Sequence, residues 1–224
     1  MSKPGVLIGA IVVIGAIVFA LRMGSDVSVE QAAAEPVVAA EPDMAAIRLA
    51  TERYQDVEVA LAEGYIRDPS NLCETADMMG LPAEQGAMGI HYFRPDLLGI
   101  TGPPDPRVNG TGTHTDFLTP AVLLYEPQAD GSVELVGVEN LVFAAAWQAA
   151  GHTEPPSFQN IPYEHMVDDP ATPADEAHMF EPHYDRHVWL YRDNPNGIFV
   201  PFNPNVTCEH HQGMAVDMHG EPAG

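Results

Sequence analysis

The hydrophobic pattern begins with an unbroken apolar run from Val6 to Leu21. Lys3 precedes the run and Arg22 follows it, and long basic side chains can extend their charged ends to the membrane surface. With these flanks, the run reaches the lower end of the roughly 17 to 25 residues that a membrane-spanning helix needs. A cleavable secretory signal begins in the same way, but the first small-x-small site, at 32–34, lies well beyond the run. We therefore interpret residues 1–23 as a transmembrane anchor.

The charges flanking this segment predict its orientation. Positive charge on the amino terminus and Lys3, followed by acidic sequence after Arg22, places the amino terminus in the cytoplasm and the rest in the periplasm. The predicted location is the inner membrane, crossed once. Small residues spaced by four let a second helix approach closely, and they are Gly5, Gly9, Ala16 and Ala20.

Beyond the anchor, the pattern predicts a linker and then a helix. Residues 24–43 are rich in Ala, Glu and Pro without an apolar period, a composition that cannot bury enough apolar surface to order itself. Asp43 suits the start of a helix and Gly64 suits its end. Between them, apolar residues recur every three or four positions and form one stripe: Ile47, Ala50, Tyr54, Val57, Leu61 and Tyr65.

Strands and loops make up the predicted remainder of the domain. Strands are predicted over 88–94, 121–126, 133–138, 187–192 and 198–202, and a short Ala-rich helix over 140–151. Turn residues at 129–131 and 194–197 predict two hairpins, and prolines in 101–120 and 153–182 predict long loops. The sequence thus predicts an α+β fold. One exported domain over 44–211 has a helix packed on a mainly antiparallel sheet, and a tail follows over 212–224.

The composition is strongly acidic. Lys and Arg together number 9 against 32 Asp and Glu, which gives a formal net charge of -23 at pH 7. Such a surface repels nucleic acid and anionic lipid head groups and attracts cations or basic proteins. We therefore expect no nucleic-acid partner. Solubility or adaptation to salt is the alternative explanation of the charge.

The two cysteines, Cys73 and Cys208, lie far apart and in no C-x-x-C pattern. Thioredoxin-like chemistry and covalent haem attachment are therefore unsupported. In an oxidising compartment we expect a disulfide between them. Such a bond closes a long loop and contributes about 2 to 4 kcal/mol.

Three segments of the domain resemble a family of uncharacterised exported bacterial proteins. They are MGIHYFRPDLL from Met88, LLYEPQADGSVELVGVEN from Leu123 and HVWLYRDNPNGIFVPFNPNVTC from His187. The resemblance spans most of residues 45–211, and the last segment is the most distinctive. It implies export and a shared α+β domain, without a reaction, a cofactor or a catalytic residue.

Histidines supply the candidate chemistry. His183, Asp185 and His187 alternate, so in an extended segment they project from one face. Two imidazoles and a carboxylate suit a transition metal, and His114 with Asp116 or His91 would complete the set. An ordinary half-buried strand is the alternative and favoured explanation of this spacing.

The tail offers a second metal candidate. His210 and His211 precede Met214 and Met218, and this mixture of imidazole and thioether groups suits copper in an exported protein. A solvated tail without a function is the favoured alternative. Copper or another divalent metal is therefore the only cofactor that the residues suggest, and none is firmly implied.

No motif identifies a catalytic site, because G-x-S-x-G, H-E-x-x-H and a phosphate-binding glycine loop are all absent. The favoured hypothesis is a non-catalytic accessory subunit whose acidic domain docks on the periplasmic face of a larger integral membrane complex. A respiratory or photosynthetic electron-transfer complex is the expected host, because an acidic surface steers basic electron-carrier proteins. The alternative is a membrane-tethered periplasmic protein that binds copper or another metal. An enzyme with a metal-activated water is the third hypothesis.

Overall fold

The computed structural model describes residues 41–212. The predicted anchor with its four small residues (Gly5, Gly9, Ala16 and Ala20), nearly all of the predicted linker and most of the predicted tail lie outside the described residues. Among residues 41–212, no helix combines the length and the apolar character that crossing a bilayer requires. The anchor, its orientation and the periplasmic location of the domain stay predictions.

The first part of the domain is helical, as the apolar stripe predicts, but it is divided. Helix α1 spans Met44–Thr51, a 3-10 turn spans Glu52–Gln55 and helix α2 spans Val57–Ala62. Asp43 caps α1 by accepting a 2.8 Å hydrogen bond from the Ala46 N–H. Asp56 breaks the helix because its backbone is extended and its carboxylate caps α2 at the Glu58 N–H, a role that Asp favours.

The break at Asp56 changes which residues face the core. Tyr54 and Tyr65 are buried, as predicted. Leu61 is 41% exposed instead, and Ala60 takes the buried position. The predicted stripe is therefore correct at Tyr54 and Tyr65, whereas in α2 the buried position shifts from Leu61 to Ala60.

Two further helices and nine strands complete the regular structure of residues 41–212, apart from short 3-10 turns. The helices are α3, Pro95–Leu98, and α4, Ala144–Ala149. The strands are β1 Ile66–Arg67, β2 Glu74–Thr75, β3 Ala87–Phe93, β4 Val122–Pro127, β5 Val133–Phe143, β6 Ser157–Phe158, β7 Ile161–Pro162, β8 Glu164–Met166 and β9 His183–Val188.

These strands form one main antiparallel sheet. Its order is β1-β3-β4-β5-β9-β8, with β2 paired to the same edge of β3 as β1. A separate hairpin joins β6 and β7. The α+β class and the mainly antiparallel sheet are confirmed.

Strand β5 is longer than predicted and the helix after it is shorter. The β4–β5 hairpin is confirmed, with its turn closed by a 2.8 Å bond from the Gln128 N–H to the Ser132 carbonyl. Residues 138–143 then pair with β9. Because these pairs extend the sheet, Asn140 lies in a strand where a helix was predicted, and α4 begins only at Ala144.

The second predicted hairpin is wrong. Strand β9 begins at His183 and ends at Val188, and residues 198–202 form no strand. Pro201 has no N–H to donate to a ladder. Just beyond it, Asn203 exchanges backbone hydrogen bonds with Ala87 of β3 instead. The chain therefore leaves β9 and crosses to the other part of the sheet.

The sheet has one face packed by the helices and one face covered by loops. On the first, Tyr54 and Tyr65 pack edge to face against each other and join a core that includes Tyr92 and Tyr125. Loops 101–120 and 167–182 cover the second face, and a bridge between Val108 and Phe180 joins the two loops. The covered face contains the candidate site.

A disulfide between Cys73 and Cys208 confirms the predicted pair, with Cα atoms 5.8 Å apart. It connects the residue before β2 to a residue 135 positions later. Glu74 follows Cys73 directly, so the bond also fixes the short strand that brings Glu74 to the covered face.

Candidate metal centre

A cluster of ionisable side chains lies on the covered face of the sheet. In the pairing of β5 with β9, Glu139 is opposite His187. Because side chains alternate along a strand, His183 and Asp185 project to the same face as His187. His91 reaches Glu139 from β3, across the intervening strand β4. The sheet register therefore brings residues distant in sequence to one place.

Three of these side chains, His91, Glu139 and His187, converge on one point, and we call them the triad. Nε2 of His91 lies 3.3 Å and Nε2 of His187 lies 3.5 Å from Oε2 of Glu139. The three ligand atoms all lie within 4.8 Å of one another. Two donors bound at about 2.1 Å to a tetrahedral ion are about 3.4 Å apart. The distances therefore suit one shared metal ion.

The triad is almost completely buried. Glu139 is 2% exposed and His187 is 1% exposed. Glu139 Oε2 lies within ion-pair distance of His91, but neither this oxygen nor His187 Nε2 has a hydrogen-bond partner among the described residues. An unpaired polar group in the interior costs about 1 to 3 kcal/mol, so each of these atoms requires an explanation. A cation at the triad would satisfy both.

Glu74 lies behind His91. Its Oε1 is 3.6 Å from His91 Nδ1, and its Oε2 is 2.5 Å from His178 Nδ1. A carboxylate beside the remote nitrogen commonly fixes the ring and the tautomer of a metal-binding histidine. At 3.6 Å no hydrogen bond forms, but the charge of Glu74 still favours the ring orientation in which Nδ1 faces this carboxylate and Nε2 faces the triad.

His183 and Asp185 lie beside the triad. The Nδ1–H of His183 donates to the Glu181 carbonyl at 3.0 Å, which leaves its Nε2 as an acceptor. That nitrogen is 4.0 Å from Oδ2 of Asp185. Both side chains are buried, so neither is solvated from outside.

A small cavity lies between the triad and these neighbours. Its volume is about 20 Å³, enough for one water molecule or one ion. Phe93, Leu141 and Phe180 contribute to its apolar wall. Its polar lining consists of six ionisable side chains: Glu74, His91, Glu139, His178, His183 and Asp185.

Three members of the cluster are ionised at neutral pH. Burial opposes charge on His91, but Glu74 and Glu139 outweigh it and raise the pKa of His91 to about 10. Burial also opposes charge on Glu74, but His178 and His91 outweigh it and lower the pKa of Glu74 to about 2. Despite its burial, the pKa of Glu139 is held below its usual value by His187 and His91.

Two other members are neutral at pH 7, and the pKa of a third is shifted in the direction of its neutral form. Burial lowers the pKa of His183 and the pKa of His187 to about 4. Burial and repulsion by Glu139 raise the pKa of Asp185 well above its usual value. His187 therefore has the free lone pair that a metal needs, whereas His91 must release a proton for each ion bound.

The structure brings part of the predicted metal set together. His187 belongs to the triad, and His91 is the partner that completes it, whereas His183 and Asp185 lie next to it. His114 lies apart from the cluster. Its Nε2 is 2.7 Å from the Thr119 carbonyl oxygen, within loop 101–120.

The histidines near the carboxyl terminus also lie apart from the cluster. His210 is exposed, and Nε2 of His211 bonds to the Asn71 carbonyl at 2.7 Å. The disulfide holds this segment near residue 73, and neither histidine belongs to the triad or to the lining of the cavity described above. Met214 and Met218, their predicted copper-binding partners, lie outside the described residues.

Glu139, Glu74 and His178 were missed by the sequence reasoning. Glu139 interrupts the apolar segment LVGVENLVF, and a lone carboxylate in a buried strand is a signal of a paired or ligating role. Glu74 and His178 had no comparable signal. They stand in a two-residue strand and an irregular loop, which only tertiary structure brings to β3.

Comparison with protein-family models, curated proteins and solved structures finds no match to this chain. The resemblance of its three motif segments to uncharacterised exported bacterial proteins stays a prediction. The chemistry of the cluster therefore carries the functional argument.

Proposed function

We propose that this protein binds a divalent first-row transition metal, zinc or copper(II), through His91, Glu139 and His187. The observation that carries this proposal is the convergence of three buried donor atoms, two of which have no hydrogen-bond partner among the described residues. One ion at that point would bond to all three.

The energetic cost of the cluster without an ion supports the proposal. His91 and Glu139 are both charged in the interior, where the desolvation penalty is several kcal/mol per ion. Apolar residues of similar volume would serve the stability of a sheet as well or better. Buried charged side chains with strongly shifted pKa values are typical of functional sites.

The donor types narrow the choice of metal. Two imidazole nitrogens and one carboxylate suit zinc and copper(II), whereas copper(I) favours sulfur ligands and none of the triad carries sulfur. Calcium and magnesium prefer oxygen ligands throughout. Copper(II) binds such a site more tightly than zinc, so the supply of metal decides between them.

The experiment is a metal count on the full chain. The protein is purified in mild detergent, stripped with a chelator, dialysed against zinc or copper(II), and analysed by plasma mass spectrometry. We expect tightly held metal in the wild type. His187→Ala and Glu139→Gln remove ligands, so each should weaken binding by more than the roughly 10- to 100-fold that follows loss of an outer partner.

Matched controls are His114→Ala and His210→Ala, which remove histidines outside the cluster. Both should bind metal as the wild type does. Equal retention by the wild type and by His187→Ala would show that surface carboxylates hold the metal, and the proposal would then be wrong.

Docking of the domain on a membrane complex, as an accessory subunit of electron transfer, stays a prediction. The apolar segment from Val6 to Leu21 and the net charge of -23 support it. The test is mild extraction of native membranes, native-gel separation and mass spectrometry of co-migrating proteins. Migration of the chain alone would contradict it.

A further inference from the structure

We propose a second metal position beside the triad, in the small cavity, with Glu74, His178, His183 and Asp185 as its donors and His91 shared between the two ions. This inference rests on the proposed metal function of the triad. It would make the site a pair of ions joined by one imidazole ring.

The donors beside the triad have atoms without a partner. Nε2 of His178 and Oδ1 of Asp185 have no hydrogen-bond partner among the described residues. His178 is 8% exposed and Asp185 is 2% exposed, and both line the cavity. Nε2 of His183 is also left as an acceptor, because its Nδ1–H donates to Glu181. These atoms exceed what one ion at the triad can use.

The His91 ring lies between two carboxylates. Its Nε2 faces Glu139 at 3.3 Å, and its Nδ1 faces Glu74 at 3.6 Å. Nδ1 has no hydrogen-bond partner among the described residues. Each ring nitrogen of histidine can bind a metal. The ring therefore lies between two carboxylates, with Glu139 facing Nε2 and Glu74 facing Nδ1. A second ion would replace the proton on Nδ1.

The cluster also holds more carboxyl groups than one ion can use. Glu74, Glu139 and Asp185 are all buried, and a buried carboxyl group needs a cation or hydrogen-bond donors as partners. Only Glu139 belongs to the triad. Glu74 and Asp185 both line the cavity, so their oxygens are available to a second ion.

The backbone that presents His178 is strained. His178 and Met179 both adopt left-handed conformations, with φ of 53° and 66°, which costs about 1 to 3 kcal/mol per residue. Arg107 holds this segment through Asp175 at 2.9 Å and the Phe180 carbonyl at 2.9 Å. The chain keeps a costly conformation that places the imidazole on Glu74.

The test counts ions and measures their separation. The stripped full chain is titrated with copper(II), dialysed to remove weakly held ions, and examined by plasma mass spectrometry and electron paramagnetic resonance. We expect two ions per chain in the wild type. Because an imidazole bridge couples two copper(II) ions magnetically, the signal of isolated ions should be largely lost.

Variants assign each ion to its position. His178→Ala should retain one ion and regain the signal of isolated copper(II), while His114→Ala should retain two coupled ions. Circular dichroism of each variant checks that it is folded. If His178→Ala does not fold, the count and coupling in the wild type still decide.

The outcomes separate the two proposals. One ion in the wild type, unchanged in His178→Ala, overturns the second position and leaves the triad site standing. Two uncoupled ions, both retained by His178→Ala, also overturn it. No tightly bound ion overturns both proposals.

Discussion

Replacing Glu139 by Gln tests the charge balance of the cluster in the metal-free protein. Glu139 Oε2 lies 3.3 Å from His91 Nε2, and both groups are almost fully buried. Removing one partner of a buried ion pair costs about 3 to 5 kcal/mol. In the variant, Glu74 continues to face the other nitrogen of His91. We therefore expect the free energy of unfolding to fall by an amount at the lower end of this range, about 3 kcal/mol at pH 7.

The pH dependence follows from the raised pKa of His91, about 10 compared with an ordinary value of 6.5. A raised pKa contributes stability that is complete below the unfolded value and is lost as the pH rises through the folded value. The metal-free wild type should therefore lose stability between about pH 6.5 and pH 10. Near pH 10, His91 loses its charge and Glu139 loses its partner, so the cost of Glu139→Gln should shrink toward zero.

The assay is urea unfolding and thermal unfolding of the full chain with a chelator present, at pH 7 and pH 10. For a domain of this size, a loss of 3 kcal/mol lowers the melting temperature by about 6 to 12 °C. The matched control is Glu134→Gln on the same strand, because Glu134 is half exposed and pairs with Arg192 at 3.1 Å. Exposed pairs contribute about 1 kcal/mol or less. An equal loss at both pH values in Glu139→Gln would refute the reasoning.

Three further predictions follow from the same structure. The pKa of His183 and the pKa of His187 are lowered to about 4, so the metal-free protein should lose stability as the pH falls from about 6.5 to 4. Circular dichroism across this range should show a shallower loss in a His183→Gln, His187→Gln double variant. Reducing the Cys73–Cys208 disulfide should lower the free energy of unfolding by about 2 to 5 kcal/mol, which urea unfolding with and without reductant measures. It should also weaken metal binding, because Glu74 adjoins the disulfide. Arg107→Gln should speed metal release several-fold and raise amide exchange over 168–180, since Arg107 holds that loop; unchanged exchange there would contradict this role.

Local features of the chain were predictable where residues act on their near neighbours. Asp43 caps the first helix, the turn at 129–131 closes a hairpin, and His183 and His187 lie on one face of a strand. Each depends on side-chain type and on spacing along the backbone. Where a distant strand intervenes, the prediction failed: residues 140–143 join the sheet because β9 pairs with them.

The disulfide was also predictable, because Cys73 and Cys208 are the only cysteines in the chain and an oxidising compartment favours their pairing. The second predicted hairpin was not correct, because Asn203 finds its backbone partner at Ala87. Two cysteines can pair within a chain in only one way, whereas a backbone N–H or carbonyl group has many possible hydrogen-bond partners.

The sequence by itself determined the acidic charge, the α+β class, the disulfide and the alternation of His183, Asp185 and His187. Only the tertiary structure decided that His187 meets His91 and Glu139, and that Glu74 and His178 stand behind them. The physical reason is the antiparallel register. A shift of one residue turns every side chain of a strand to the opposite face, so which donors converge depends on pairings between strands far apart in the chain.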